Sequence, residues 1–126
     1  MADTQPVQPR LQILVVEDNA LIAMHFEDIL VQLGSSVILA AQIPAGLHLI
    51  DTQHLDGAFL DIDTGDDSIL PIAERLAALA IPCAIVTRRA GSVVPVGFRH
   101  LPVLSKPVAD ARFADVVATF AATRPH

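Results

Sequence analysis

The chain has 126 residues, the length of one ordinary domain, with a formal net charge of −6 and a sequence pI near 5.1. Hydrophobic residues make up 52% and charged residues 17%, which excludes a disordered tail and favours an interior packed on both faces of a sheet. The acidic balance argues against a free-standing nucleic-acid binder, because phosphate contact needs a basic patch.

The opening stretch, residues 1–10 (MADTQPVQPR), is polar and proline-bearing, unlike a signal peptide, and reads as a flexible leader. LQILVV (Leu11–Val16) is a short apolar run cut off by Glu17 and Asp18, the pattern of a buried strand. Ile22, Phe26, Ile29, Leu30 and Leu33 then recur at helical spacing, with Asp18 or Asn19 as cap and Gly34 as terminator. SVILA (Ser36–Ala40) is a second predicted strand, and Pro44 suits the first turn of a helix carrying Leu47 and Ile50.

GAFLD (Gly57–Asp61) is the third predicted strand, followed by the turn-rich IDTGDDS. Asp66 and Asp67 suit the start of the next helix, with Asp67 or Ser68 as its cap and Ile69, Ile72, Leu76 and Leu79 as its apolar stripe. IPCAIVT (Ile81–Thr87) is a fourth strand, which makes Cys83 a small buried hydrophobe. Gly91, Pro95 and Gly97 limit residues 88–100 to a loop with at most a short helix. LPVLSK (Leu101–Lys106) is a short fifth strand, and Phe113, Val116, Val117 and Phe120 mark a closing helix. The alternation predicts an α/β fold with a doubly wound five-stranded parallel sheet covered by helices on both faces.

Cys83 has no partner cysteine for a disulfide, and no Cys/His metal spacing is present. The longest apolar stretch, Leu76 to Val86, falls short of the ~18–20 residues a membrane span needs and contains Pro82. A soluble cytoplasmic domain without nucleic-acid or membrane partners is the expectation.

What ends the strands carries the chemistry. Strand one ends in Glu17 and Asp18, strand three in Asp61, strand four in Thr87 and strand five in Lys106. An open parallel sheet binds its ligands outside the carboxyl ends of its strands, so these residues converge on one rim. Taken singly, each has an ordinary explanation as a cap, a strand end or a solvated lysine; together they are specific. Carboxylates in contact repel by about 4 kcal/mol per pair at an effective dielectric of 20, and stay ionised only around a cation. Hard oxygen ligands suit Mg²⁺, and a lysine and a hydroxyl facing it stabilise a phosphoryl group in flight. The predicted product is an aspartyl phosphate at Asp61.

The motifs VVEDN (Val15–Asn19), FLDID (Phe59–Asp63), IVT (Ile85–Thr87) and LSKP (Leu104–Pro107) resemble those of two-component response regulator receiver domains over about residues 11–122. The resemblance implies a flavodoxin-like sheet of order 2-1-3-4-5, here with a short or irregular fourth helix. It implies Mg²⁺ held by Glu17, Asp18, Asp61 and the backbone carbonyl of Asp63. Asp61 then matches the phospho-acceptor, Thr87 the switch hydroxyl and Lys106 the phosphate-stabilising lysine, with Pro107 expected after a cis bond. Residues 11–123 are expected to form the receiver with no output domain, the pattern of a stand-alone regulator. Such a domain is no enzyme beyond its own phosphorylation and dephosphorylation. Its partners are a histidine kinase or histidine phosphotransfer protein and an unknown downstream protein, and a homodimer is compatible with it. His25, His48 and His54 read as surface residues, since the donor histidine of the relay sits on the partner.

The sequence departs from the family in several places. Asp63 stands where Asn is common, Arg88 where Gly or Ala is usual, Arg89 where stand-alone receivers often carry an aromatic, and Val103 where many receivers have a Tyr or Phe switch. Arg88 or Arg89 would offset Asp63 and the incoming dianion, and Arg88 would slow access of donor and water. Segment 88–100 is the expected readout of phosphorylation. The departures leave a phosphorylation-independent pseudo-receiver, an interaction module, as the alternative. LDIDTG (Leu60–Gly65) also resembles the nucleophile motif of haloacid-dehalogenase-type phosphatases, with Asp61 as nucleophile and Asp63 as general acid. Chain order weighs against it, since only Asp110 and Asp115 follow Lys106 and the acidic pair precedes the nucleophile.

Overall fold

The computed structural model describes residues 10–63, 69–88 and 100–123. Its elements run β1 (Gln12–Val16), α1 (Ala20–Gln32), β2 (Ser36–Ala40), α2 (Ile43–Thr52), β3 (Gly57–Asp61), α3 (Leu70–Ala78), β4 (Cys83–Thr87), β5 (Val103–Ser105) and α4 (Asp110–Thr123). The strands form one all-parallel sheet of order β2-β1-β3-β4-β5. The alternation of strands and helices predicts the parallel sheet, and the resemblance to receiver domains implies this order.

Successive strand residues point to opposite faces, so a strand covered on both sides needs apolar residues throughout. In β1, Ile13 and Val15 face one core while Leu14 and Val16 face the other. The first core packs Phe26, Ile29 and Leu30 of α1 with Phe113, Val116 and Phe120 of α4. Phe113 meets Phe26 and Phe59 edge-on, at centroid distances of 5.0 and 5.2 Å, a favoured geometry for aromatic pairs. The second core sets Ile50 of α2 and Ile72, Ala73 and Leu76 of α3 against Leu60 and Ile85. Burying each such large side chain stabilises by about 1.5–3 kcal/mol.

The helix ends follow from local chemistry. Asn19 Oδ1 accepts the Ile22 N–H at 3.0 Å, as a capping Asn should. Pro44 lies in the first turn of α2, where its missing N–H costs nothing. Gly34 adopts φ +91° after α1, and Ser35 N–H returns to Leu30 O at 3.0 Å. The same closure ends α3, but there Ala80 takes the left-handed position at φ 58° and Ile81 N–H bonds Leu76 O at 2.9 Å.

That closure shortens the fourth strand relative to the sequence reading. Ile81 N–H is committed to α3, and Pro82 has no N–H to give, so the ladder begins at Cys83. The fifth strand likewise contracts to Val103–Ser105, with Pro102 and Lys106 flanking it. Their backbones still bond β4, since Ile85 N–H donates to Pro102 O and Lys106 N–H to Thr87 O. The first strand starts one residue late, at Gln12. Leu33 and Leu79, read as part of apolar stripes, are cap residues with 40% and 48% of their surface exposed.

Asp66, Asp67, Ser68, Arg89 and the short helix expected before Leu101 lie outside the described residues, as does the leader up to residue 9. Among the described residues no helix is long and apolar enough to cross a membrane.

Candidate functional site

Parallel register sets the carboxyl ends of β1, β3, β4 and β5 side by side. Val16 pairs with Leu60, Asp61 with Val86 and Thr87 with Ser105. The next residues outward from β1 and β5 are Glu17 and Lys106, so the sheet brings the strand-end residues onto one rim. The cleft there has a volume of about 320 Å³ and is lined by Glu17, Asp18, Asn19, Ile22, Asp63, Arg88 and Lys106.

Lys106 links the two buried acids. Its Nζ lies 2.9 Å from Glu17 Oε1 and 3.0 Å from Asp61 Oδ2, and all three side chains are nearly out of water. The peptide bond from Lys106 to Pro107 is cis. Glu17 Oε2 accepts the Asn19 N–H at 3.1 Å, while Asp61 Oδ1 accepts the Asp63 N–H at 2.8 Å. Oε1 of Glu17 is buried and, although ion-paired, has no hydrogen bond of proper alignment.

Burial pushes the Glu17 carboxyl up to about 7, against opposition from Lys106, and neighbouring Asp61 raises it further. Burial works on Lys106 in the opposite direction, yet its contacts with Glu17 and Asp61 prevail and hold it above the usual lysine range. The lysine therefore stays an ammonium, and one positive charge serves two buried acids.

Asp18 is exposed, and carboxylate oxygens of Glu17, Asp18 and Asp61 all lie within 4.8 Å of one another. With all three acids ionised, the three carboxylates against one ammonium would carry about −2, and one buried oxygen lacks a hydrogen bond. Hard oxygen donors with that charge deficit fit a small divalent cation.

Asp63 behaves differently from the other acids. Its Oδ1 accepts the Thr87 hydroxyl at 3.1 Å and its Oδ2 accepts the Arg88 N–H at 2.8 Å. The Arg88 side chain is 70% exposed, with Nε 3.9 Å from Asp63 Oδ2. The Arg88 amide is a member of the site that residue types alone did not reveal. Its sequence signal was indirect, namely a surplus carboxylate at Asp63 two residues beyond a strand-end acid. Val103 is half-buried and packs against the α2/α3 core, so no aromatic occupies that position. Asp110 and Asp115 are exposed on α4, away from the acidic cluster. His25, His48 and His54 are exposed as expected, His54 pairing with Asp56 at 3.0 Å.

A parallel sheet of this order, with acids, a hydroxyl and a lysine at its carboxyl rim, defines a CheY-like α/β domain. No protein-family model matches the chain, and no curated protein sequence matches it. Solved structures do match. A response regulator receiver domain (CheY-like) from Methylobacillus flagellatus aligns with TM-score 0.78 and 23% identity, over 89% of this chain and 99% of that one. SdrG from Sphingomonas melonis Fr1 aligns with TM-score 0.75 and 33% identity, over 89% of this chain and 97% of that one. The BeF3-activated conformation of SdrG from Pseudomonas melonis Fr1 gives TM-score 0.75 and 35% identity, over 88% and 97% of the two chains. The chain belongs to the response regulator receiver domains.

Proposed function

We propose that this receiver domain accepts a phosphoryl group on Asp61 from a phosphohistidine of a histidine kinase or phosphotransfer protein, and signals by docking on another protein. The observation that carries this reading is Lys106 Nζ, 3.0 Å from Asp61 Oδ2 and 2.9 Å from Glu17 Oε1 at the carboxyl rim of the sheet. An Asp61 carboxylate oxygen attacks phosphorus, the phosphorus–nitrogen bond breaks, and its electron pair leaves with the donor imidazole. Lys106 offsets the charge on Asp61 and on the arriving phosphoryl oxygens. The Thr87 hydroxyl and the Arg88 N–H are donors on the neighbouring strand end for those oxygens.

Glu17, Asp18 and Asp61, with the Asp63 backbone carbonyl, would hold Mg²⁺, which when bound neutralises the acids and orients a phosphoryl oxygen. The BeF3-activated form of SdrG supports the same reading by analogy, at 35% identity. A phosphoryl group adds roughly two negative charges to the rim and gives the Thr87 hydroxyl a new acceptor, the local charge change through which such a switch acts.

The test is intact mass after incubation with acetyl phosphate and Mg²⁺. A single phosphoryl adduct is expected, absent in Asp61→Ala. No adduct would instead make the chain a phosphorylation-independent module, and sustained hydrolysis of a phosphomonoester such as p-nitrophenyl phosphate would make it a phosphatase.

A further inference from the structure

Asp63 is bound in a way that the proposed chemistry does not require. Its two carboxylate oxygens take one donor each from the end of β4, the Thr87 hydroxyl at 3.1 Å and the Arg88 amide at 2.8 Å. Thr87 is 1% exposed, and 13% of the Asp63 side chain is exposed. The Asp63 N–H meanwhile donates to Asp61 Oδ1 at 2.8 Å, which pins the residue beside the acceptor. A planar anion thus bridges the loop after β3 to the end of β4. Its carboxylate is not among the three that cluster as cation ligands.

We propose that the Asp63 carboxylate is a built-in stand-in for the phosphoryl group, occupying the donor pair that the modified Asp61 must use. This inference rests on the reading of Asp61 as phospho-acceptor and adds a competitor to it. A phosphoryl group on Asp61 needs the same hydroxyl and amide for its equatorial oxygens, and its charge repels Asp63. Phosphorylation then exchanges one anion for another at Thr87 and Arg88. The resting domain already holds Thr87 drawn toward the site, and the incoming group spends part of its binding free energy on displacing Asp63. Hydrogen bonds to an ionised acceptor are roughly twice as strong as neutral ones, so the displacement is not a minor term.

Two measurements test it. In the ligand-free protein, the Arg88 amide of Asp63→Ala should exchange with solvent roughly tenfold faster than in the wild type, with the Leu60 amide unchanged. Equal Arg88 exchange in the two proteins overturns the proposal without any appeal to phosphate. Beryllofluoride with Mg²⁺, followed by fluorine NMR, should bind Asp63→Ala roughly tenfold more tightly than wild type. In a Thr87→Val background that gain should shrink to about threefold or less, because the shared donor is gone. An undiminished gain would reduce Asp63 to a general repulsive charge and overturn the competition. Absence of beryllofluoride binding in every variant would count against Asp61 as acceptor, and the exchange result would still decide whether Asp63 holds the donor pair.

Discussion

Lys106 Nζ lies 2.9 Å from Glu17 Oε1, with only 7% and 1% of the two side chains exposed. Removing one partner of a buried ion pair leaves the other charge without compensation and typically costs 3–5 kcal/mol. Lys106→Ala should therefore destabilise the domain by about 3 kcal/mol when EDTA removes divalent ions. Saturating Mg²⁺ should recover much of that loss, since a dication among the same acids replaces the missing ammonium. The variant should also bind Mg²⁺ more tightly than the wild type. Urea unfolding in EDTA and in Mg²⁺ checks both points, and an identical loss in the two conditions would remove the charge argument.

Gly57 opens β3 directly beneath the buried ring of Phe120, and a Cβ built there would overlap Cγ, Cδ2 and Cε2 of that ring. Phe120 is 1% exposed and packs beside Phe59 at a centroid distance of 5.4 Å, so it has little room to retreat. Gly57→Ala should cost about 1–3 kcal/mol as an overpacking defect. Gly57→Ala combined with Phe120→Leu should cost less than the two single changes added together. Strict additivity in urea unfolding would sink the steric account.

Much of this arrangement was legible from the chain alone. Apolar five-residue runs that stop at Asp61 or Thr87 mark strands buried on both faces, because no other element of that length needs unbroken apolarity. Strand ends are equally plain, and in a parallel sheet strand ends share one rim, so Glu17, Asp61, Thr87 and Lys106 could be brought together from order alone. Strand beginnings were less legible. The N–H groups of Ile81 and the missing one of Pro82 are decided by how α3 ends, which residue type does not encode. Leu33 and Leu79 fit their apolar stripes by spacing, yet each falls at a helix end where the chain turns away. Asp63 was legible in part. Its surplus charge calls for an offset that Arg88 can supply, and Arg88 Nε does lie 3.9 Å from Oδ2, but only the direction of the carboxylate reveals its bonds to the Thr87 hydroxyl and the Arg88 amide.

Ala80 holds φ 58° at the position where α3 closes, with its N–H on Ala77 O at 3.1 Å and the next N–H on Leu76 O. An L-residue there pays about 1–2 kcal/mol for its Cβ, whereas Gly34 fills the same role after α1 without that cost. Ala80→Gly should stabilise the domain by about 0.5–1 kcal/mol, after subtracting the extra freedom glycine has in the unfolded chain. Ala77→Gly, one turn earlier in the helix, should do the reverse by a similar amount. Equal effects of the two substitutions on the urea midpoint would refute the assignment of strain to Ala80.

Cys83 begins β4 with 6% of its surface exposed, and burial pushes its thiol from 9.0 up to about 11. Because the folded value is raised, its contribution to stability is complete below pH 9 and fades as pH climbs toward 11. At neutral pH the folded protein should hold an inert thiol, doubly guarded by low thiolate content and by packing. Iodoacetamide at pH 8 should modify Cys83 only through global unfolding, so its rate should fall when Mg²⁺ stabilises the fold and rise in Gly57→Ala. In urea the same thiol should react at the rate of an ordinary cysteine. Rapid modification of the folded wild type, insensitive to both Mg²⁺ and the Gly57 substitution, would mean that the start of β4 opens locally rather than with the whole domain.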